Sequence, residues 1–188
     1  KFAEHTDIPV VSTMMGLGAM PTNSPMFYGM LGMHGCKAAN TAVNSCDTLV
    51  LLGARVGDRA IAAMEQRDDL TVIHVDIDPA EIGKNLDVDI PIVGDLTLVL
   101  GQLLEAVSAG EHSDWKQWLD GYREDKAMQP APAGFVNPKE FIRTLDKYLP
   151  DDAVVVADVG QNQIWTARNI TINGGRFLTS GGMGTMGY

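Results

Sequence analysis

The sequence predicts an α/β protein: a Rossmann-like parallel sheet flanked by helices, followed by part of a second α/β domain. Three observations predict it. Thr48-Leu49-Val50-Leu51-Leu52 and Leu70-Thr71-Val72-Ile73-His74-Val75 are nearly unbroken apolar runs that stop at Gly53 and Asp76. Such runs mark strands buried on both faces of a parallel sheet. Helical stretches separate and follow them, as crossovers between parallel strands require. Beyond the Pro- and Gly-containing stretch 129–136, Asn137-Pro138-Lys139-Glu140 restarts the pattern with a helix-opening signature.

In chain order, Ile8–Met14 is a short β-branched run ending at Gly16-Leu17-Gly18, and a stretch rich in Met, Gly and Pro follows from Met20 to Gly35. Cys36–Cys46, rich in Ala and Asn, reads as a helix. Ile90–Asp95 is a further strand, and the next helix spans Leu96–Val107 with Leu98, Leu100, Leu103, Leu104 and Val107 as its apolar positions. A second helix is expected to start near Ser113 as N-cap, with Trp115, Trp118, Leu119 and Tyr122 on one side. The two tryptophans read as packing rather than binding residues. After the break, Phe141, Ile142, Leu145 and Leu149 give the next helix its buried stripe, Pro150 ends it, and Ala153–Ala157 is a strand running into Asp158-Val159-Gly160-Gln161. These signals divide the chain into a domain over 1–128, a linker over 129–136 and a partial domain over 137–188. About fifty residues of the latter are too few for a core of their own.

Composition narrows the function. A hydrophobic share of 45% and a charged share of 20% describe an ordinary globular chain. A net charge of -10 argues against a nucleic-acid partner, which would need clustered Lys and Arg. It does not argue against a phosphate-bearing cofactor, because backbone amides can hold phosphate without net positive charge. Cys36 and Cys46 form no CxxC pair, and His34-x-Cys36 has no second half, so both cysteines read as small core residues and no metal site is expected. No apolar run approaches the ~20 residues a membrane span needs, and no signal peptide opens the chain, so a reducing cytoplasm is the expected compartment. Lys1–His5 reads as a helix already under way and the glycine loop at 181–188 as one leading onward, so both ends read as cut.

Three loops sit at the carboxyl ends of predicted parallel strands, where open α/β sheets bind ligands: Thr13–Gly18, Gly53–Arg59 and Asp76–Pro79. Gly53 and Gly57 let backbone approach a ligand. Arg55 or Arg59 has the forked geometry that suits a pyrophosphate, and Asp76 stands where a carboxylate accepts from ribose hydroxyls. No GxGxxG is present. Spacing alone therefore leaves two readings open, nucleotide binding or turn glycines with surface ion pairs. Met14, Met15, Met20, Met26, Met30 and Met33 are six of ten methionines. They read as adaptable core filler, or as a soft apolar lining for a flat ring or a subunit contact. Ser180 lies in no GxSxG elbow, the four histidines are scattered, and Asp76 and Asp78 alternate along a strand end; no hydrolase site is expected.

Read together, several segments are more specific than their spacing. Thr13–Gly18, Gly29-Met30-Leu31-Gly32-Met33-His34-Gly35, Gly53-Ala54-Arg55, His74–Asn85 (HVDIDPAEIGKN) and Ile90–Asp95 resemble, in order, the central domain of acetohydroxyacid synthase catalytic subunits. Asp158–Trp165 and Thr179–Gly187 resemble the opening of that family's thiamine-diphosphate domain. The resemblance implies a thiamine-diphosphate enzyme that decarboxylates pyruvate and joins the product to a second 2-keto acid, giving acetolactate or acetohydroxybutyrate for branched-chain amino-acid synthesis.

It also implies FAD, bound without net redox chemistry, at Thr13, Met14, Met15, Leu31, Gly32, Met33, His34, Gly53, Arg55, Asp58, Arg59, Asp76, Ile77, Gly94 and Asp95. Thiamine diphosphate would lie near Val159, Gly160, Gln161, Asn162, Gly184 and Met186. Its Mg2+ motif is expected past Tyr188. The activating glutamate and the first strand of the central sheet are expected before Lys1. On that reading the chain alone is inactive and holds FAD weakly. The family's 2-keto acid substrates and its homodimers and tetramers are implied as partners; whether a regulatory small subunit attaches stays open. Asn162 stands where the family usually has His, and Val56-Gly57 where it often has Phe-Asp. Two other readings remain. One is a related thiamine-diphosphate enzyme of the glyoxylate carboligase or pyruvate oxidase type. The other is a non-catalytic FAD- or NAD-binding module, against which the glycine-rich C-terminal segment argues.

Overall fold

A computed structural model of the chain describes residues 1–65, 67–123 and 130–187. The expected residues 124–128 of the first domain, and Gln129 of the linker, lie outside them. The elements run α1 (Phe2–Thr6), β1 (Val10–Ser12), a 3-10 turn (Met14–Gly16), β2 (Phe27–Met30), α2 (Lys37–Ser45), β3 (Thr48–Leu52), α3 (Asp58–Ile61) and β4 (Thr71–Asp76). They continue with β5 (Ile90–Val93), α4 (Leu96–Ala106), α5 (Ser113–Asp120), α6 (Pro138–Asp146), β6 (Val154–Ala157), α7 (Gln161–Asn169) and β7 (Arg176–Thr179). Every strand pair among the described residues is parallel, which places the chain in the α/β class as expected.

The strands form three small sheets, β1-β2, β3-β4-β5 and β6-β7. In the middle one, β4 is hydrogen-bonded on both sides and Val75 is fully buried. Burial on both faces is what allows Val72, His74 and Val75 to be consecutive or near-consecutive interior residues. Two strands escaped the sequence reading. β2 lies inside the Met/Gly/Pro-rich stretch, where Gly29 at φ 106 interrupts any strand-like pattern. β7 is only four residues long.

Helix starts follow their caps. Asp95 accepts from the Thr97 and Leu98 amides and opens α4. Asn137 accepts from the Lys139 and Glu140 amides with Pro138 next in line, as the sequence predicts. At α5 the N-cap is His112, and Ser113 is already helical. The α1 segment holds this junction: the Asp7 carboxylate pairs with Lys116 and accepts from the His112 amide at 2.8 Å.

The buried stripes depart from expectation in two helices. In α4 the buried residue is Val99, and Leu98 points outward. In α6, Ile142 is buried and Leu149 beyond it packs on the core, while Phe141 and Leu145 are exposed. Adjacent apolar residues on a helix point about 100° apart, so one neighbour of each pair must turn away from a single flat contact. Trp115 packs as expected, joining Leu119, Tyr28 and Ala42 in one cluster and donating its indole N–H to Ser45 Oγ at 3.1 Å. Trp118 departs from expectation, being exposed and meeting the Tyr122 ring edge to face. Of the six clustered methionines, Met26 and Met30 are buried, Met14 and Met20 pack on the core, and Met15 and Met33 stay exposed.

The main core joins Leu17, Phe27 and Met30 to Ile142, Ala157, Ala167, Ile170, Ile172 and Phe177. Hydrogen bonds between Thr22 and Ile172 seal the junction in both directions, at 2.9 and 2.8 Å.

The Asp7 contact gives a pH prediction. Its hydrogen bond from Lys116, and then that from the His112 amide, hold the carboxyl below its ordinary 3.8. A lowered folded-state value means stability that is present above 3.8 and lost as pH falls through the folded value. Asp7→Asn should therefore be less stable than the parent at pH 7, and the gap should narrow as pH falls below 3.8. Asn suits the positive φ of 55 at this position, so the backbone is not the cause. Urea midpoints measured across pH check it; a deficit that does not shrink at all as pH falls below 3.8 would refute the ionic origin.

Candidate functional site

The parallel pairing sets the carboxyl ends of neighbouring strands side by side, and the expected site residues follow that edge. Thr13 accepts from the Gly16 amide through its Oγ1 at 3.2 Å and turns the chain from β1 into the 3-10 segment of Met14 and Met15. The Leu31 amide, just past β2, donates to the Ser12 carbonyl at 2.8 Å, so the loop Leu31–His34 begins beside that turn. Its other side lies on α3, where the Met33 amide donates to the Arg59 carbonyl at 2.8 Å. Gly32 is squeezed between: a Cβ there would stand 2.6 Å from the Arg59 carbonyl oxygen.

The β3-β4-β5 edge continues the line. The Gly53 amide donates to the Val75 carbonyl at 2.8 Å and the Gly94 amide to the Asp76 carbonyl at 3.0 Å. Gly53 has φ 59 and sits where a Cβ would meet Leu96 at 2.9 Å, so packing against α4 as well as the turn demands glycine. Gly57 has an ordinary φ of -76 and open surroundings. Its bareness serves neither a turn nor a crowded contact. Val56 holds a positive φ of 42 while buried, a conformation costly for a β-branched residue and worth roughly 1–3 kcal/mol of strain.

Asp76 and Asp78 shape their own turn: the Asp78 amide donates to Asp76 Oδ1, and the Ala80 amide to Asp78 Oδ1, both at 2.9 Å. The Asp95 carboxylate is committed to capping α4. Met15, Met33, His34, Gly53, Arg55, Asp58, Arg59, Ile77 and Asp95 are all exposed along this edge. Neither guanidinium, Arg55 or Arg59, takes part in an ion pair among the described residues. Two exposed guanidiniums, one on the loop after β3 and one on α3, are chemistry compatible with a pyrophosphate-bearing ligand.

The second set gathers around Asp158, whose Oδ1 accepts from the Val159 amide at 2.7 Å and from the Gly187 amide at 2.8 Å. That carboxylate ties the turn Val159–Asn162 to the end of the glycine loop. Gly184 and Met186 lie exposed between that tie and a bond from the Thr185 amide to Ser180 Oγ at 3.0 Å. Gly160, at φ 148, leads into Gln161 at the start of α7. Asn162 donates to the Asp158 carbonyl at 2.9 Å, so the amide that stands where His was expected is engaged in closing the turn. The two sets meet where a Cβ on Gly181 would collide with the Met15 thioether. Among the described residues no group of His, Cys, Asp and Glu is placed to hold a metal. Burial pushes the Cys46 thiol up, which keeps it protonated near neutral pH and inert. No helix among the described residues is long and apolar enough to cross a membrane.

Three residues that shape these loops were not singled out in the sequence: Asp158, Asn85, which donates to the Arg55 carbonyl at 3.3 Å, and Asn40. Asn40 accepts from the Gly32 amide at 2.9 Å and donates to the Gly32 carbonyl at 3.1 Å. One signal for it exists: Asn in the interior of an Ala-rich helix is unfavourable unless its amide is used elsewhere.

A family model described as the thiamine pyrophosphate enzyme central domain matches residues 1–103. Among curated proteins, the acetolactate synthase large subunit of Corynebacterium glutamicum is 42% identical over 100% of this chain and 31% of its own length. An acetolactate synthase of Mycobacterium leprae is 43% identical over 99% of this chain and 31% of its own. The acetolactate synthase isozyme 1 large subunit of Escherichia coli is 39% identical over 100% of this chain and 34% of its own. The chain thus spans about a third of the length of the curated relatives it matches.

Proposed function

Because the chain belongs to the thiamine pyrophosphate enzyme family through its match to the central domain, we propose that it serves an acetolactate synthase, condensing two pyruvates, or pyruvate and 2-ketobutyrate, with release of CO2. The observation that carries this reading is the similarity over the whole chain to proteins named for that activity. On it, residues 1–128 are the central domain and 137–188 the start of the thiamine-diphosphate domain. The reaction, a transfer of a two-carbon unit, belongs to branched-chain amino-acid synthesis in the cytoplasm. The working assembly is a homodimer or tetramer.

Thiamine diphosphate supplies the carbanion chemistry when bound, and the protein's part is to position it and exclude water. Val159–Asn162 and the Gly184–Met186 stretch would hold it between the two backbone segments that Asp158 ties together. On this reading the Mg2+ ligands and the activating glutamate would come from other parts of the full-length protein, and these 188 residues alone would be inactive. FAD would be held along the strand edge, with Arg55 or Arg59 for its pyrophosphate, Asp76 for its ribose hydroxyls, and exposed Met15, Met33 and Ile77 as apolar surface for its ring.

The test is a flavin-fluorescence titration of the chain and of Arg55→Ala. Removing one arm of a charge-assisted pair should weaken binding about tenfold or more, the equivalent of 1.4 kcal/mol or above. Saturable binding that Arg55→Ala leaves unchanged would refute the placement. Assayed for acetolactate, a version extended to the relatives' length should convert pyruvate; failure there, with flavin bound, would point to a different family member.

A further inference from the structure

We propose that Asn40 is a positioning residue for the flavin: from the interior of α2 it clamps the loop Leu31–His34 in its binding shape. This rests on the FAD reading above and adds the residue that holds the site. Asn40 makes both hydrogen bonds its amide allows in one direction, accepting from the Gly32 amide and donating to the Gly32 carbonyl, at 2.9 and 3.1 Å. A side-chain amide that satisfies both polar groups of one residue reproduces a strand-like pairing and fixes the orientation of the peptide planes on either side.

Besides Asn40, the residue so held has one other hydrogen bond, from the Gly35 amide to its carbonyl at 2.8 Å. Gly32 has φ 109 and no side chain, and its other side lies against the Arg59 carbonyl. Without Asn40 the loop would keep the Leu31 amide on Ser12, the Met33 amide on Arg59 and the Gly35 amide on the Gly32 carbonyl. The Gly32 N–H would lose its acceptor, and the Leu31–Gly32 peptide would be free to rotate. Exposed Met33 and His34 follow directly, so a rotation at Gly32 swings both out of place.

Helix α2 carries its own control one turn on. Asn44 donates to the Ala63 carbonyl at 2.9 Å and accepts from the Glu65 amide at 3.0 Å. It has the same chemistry and bond count, but it holds a segment that contributes nothing to the proposed flavin edge.

The experiment compares a parent chain extended to the relatives' length with its Asn40→Ala and Asn44→Ala variants by FAD titration, melting temperature and amide exchange at Gly32, Met33 and His34. Both variants should lower the melting temperature to a similar extent. Only Asn40→Ala should weaken FAD binding, about tenfold, and speed exchange at the three loop amides at least as much; Asn44→Ala should stay within twofold of the parent on both. If the parent binds FAD and Asn40→Ala binds it equally well, or if both variants weaken it alike, the positioning role is wrong while the flavin reading stands. If the parent shows no saturable binding, the flavin reading fails and takes this inference with it.

Discussion

Gly32→Ala should cost the fold roughly 3 kcal/mol and remove FAD binding with it. Two separate penalties fall on one methyl group. The backbone at φ 109 is a conformation that a residue with a Cβ adopts only under strain. The methyl would also stand 2.6 Å from the Arg59 carbonyl oxygen and 3.2 Å from the Ala60 Cα. Both are backbone atoms, so relief requires α3 itself to move. In a chain of this size the loss corresponds to a fall in melting temperature of about 6–12 °C.

Two other glycines separate the causes. Gly83 has φ 71 and nothing within 4 Å of a built Cβ, so Gly83→Ala should pay the conformational part alone, about 1 kcal/mol. Gly57, with ordinary φ and its nearest neighbour at 3.9 Å, should accept alanine at no cost or with a slight gain. The order of melting temperatures Gly57→Ala, Gly83→Ala, Gly32→Ala, from highest to lowest, is the expected result. Equal losses at Gly83 and Gly32 would mean that the Leu31–His34 loop does not lie on α3.

The same residues show what the sequence made legible. Strands β3 and β4 were readable because packing of a parallel sheet writes a continuous apolar run, and the turns after them because Gly53 and Asp76 end those runs; β5 is apolar although Ile90 and Val93 are exposed. Helix α6 was readable at its start, because Asn137 and Pro138 act within one turn of themselves. Its buried face was not: Phe141, Ile142 and Leu145 are equally apolar, and only the position of the core chooses Ile142. β2 was hidden because a strand of four residues built on Phe27, Tyr28, Gly29 and Met30 has no alternation to read.

For the site, the loops along the strand edge could be named from motif resemblance, but not what holds them. Asn40, Asn85 and Asp158 act on backbone 8, 30 and up to 29 residues away in sequence. Nothing local to an asparagine reveals which loop its amide will meet. Asn162, where His was expected, makes a local bond to the Asp158 carbonyl, four residues back.

Phe177→Ala should have the largest effect on stability of any single truncation in the second segment, about 3–5 kcal/mol. Strand β7 alternates exposed and buried residues, which sends Phe177 and Thr179 into the interior and Arg176 and Leu178 out. Phe177 is 4% exposed and Leu178 is 37% exposed, so Leu178→Ala, a change of comparable chemistry one residue away, should cost about 1 kcal/mol or less. What makes the position informative is its company. The cluster around Phe177 draws Leu17, Phe27 and Met30 from before the expected linker and Ile142, Ala167, Ile170 and Ile172 from after it.

A cavity there should therefore loosen both segments at once, and the chain should still unfold in one transition, with tryptophan fluorescence and far-UV circular dichroism coinciding. Two separated transitions in Phe177→Ala, with the earlier confined to the C-terminal segment, would show that the segments are stabilised independently. The outcome bears on function because the Met14–Gly16 turn packs on β7 and its Met15 crowds Gly181. Loosening β7 should then carry through Met15 to the flavin edge, so Phe177→Ala should weaken FAD binding although it lies outside the edge, whereas Leu178→Ala should leave it intact.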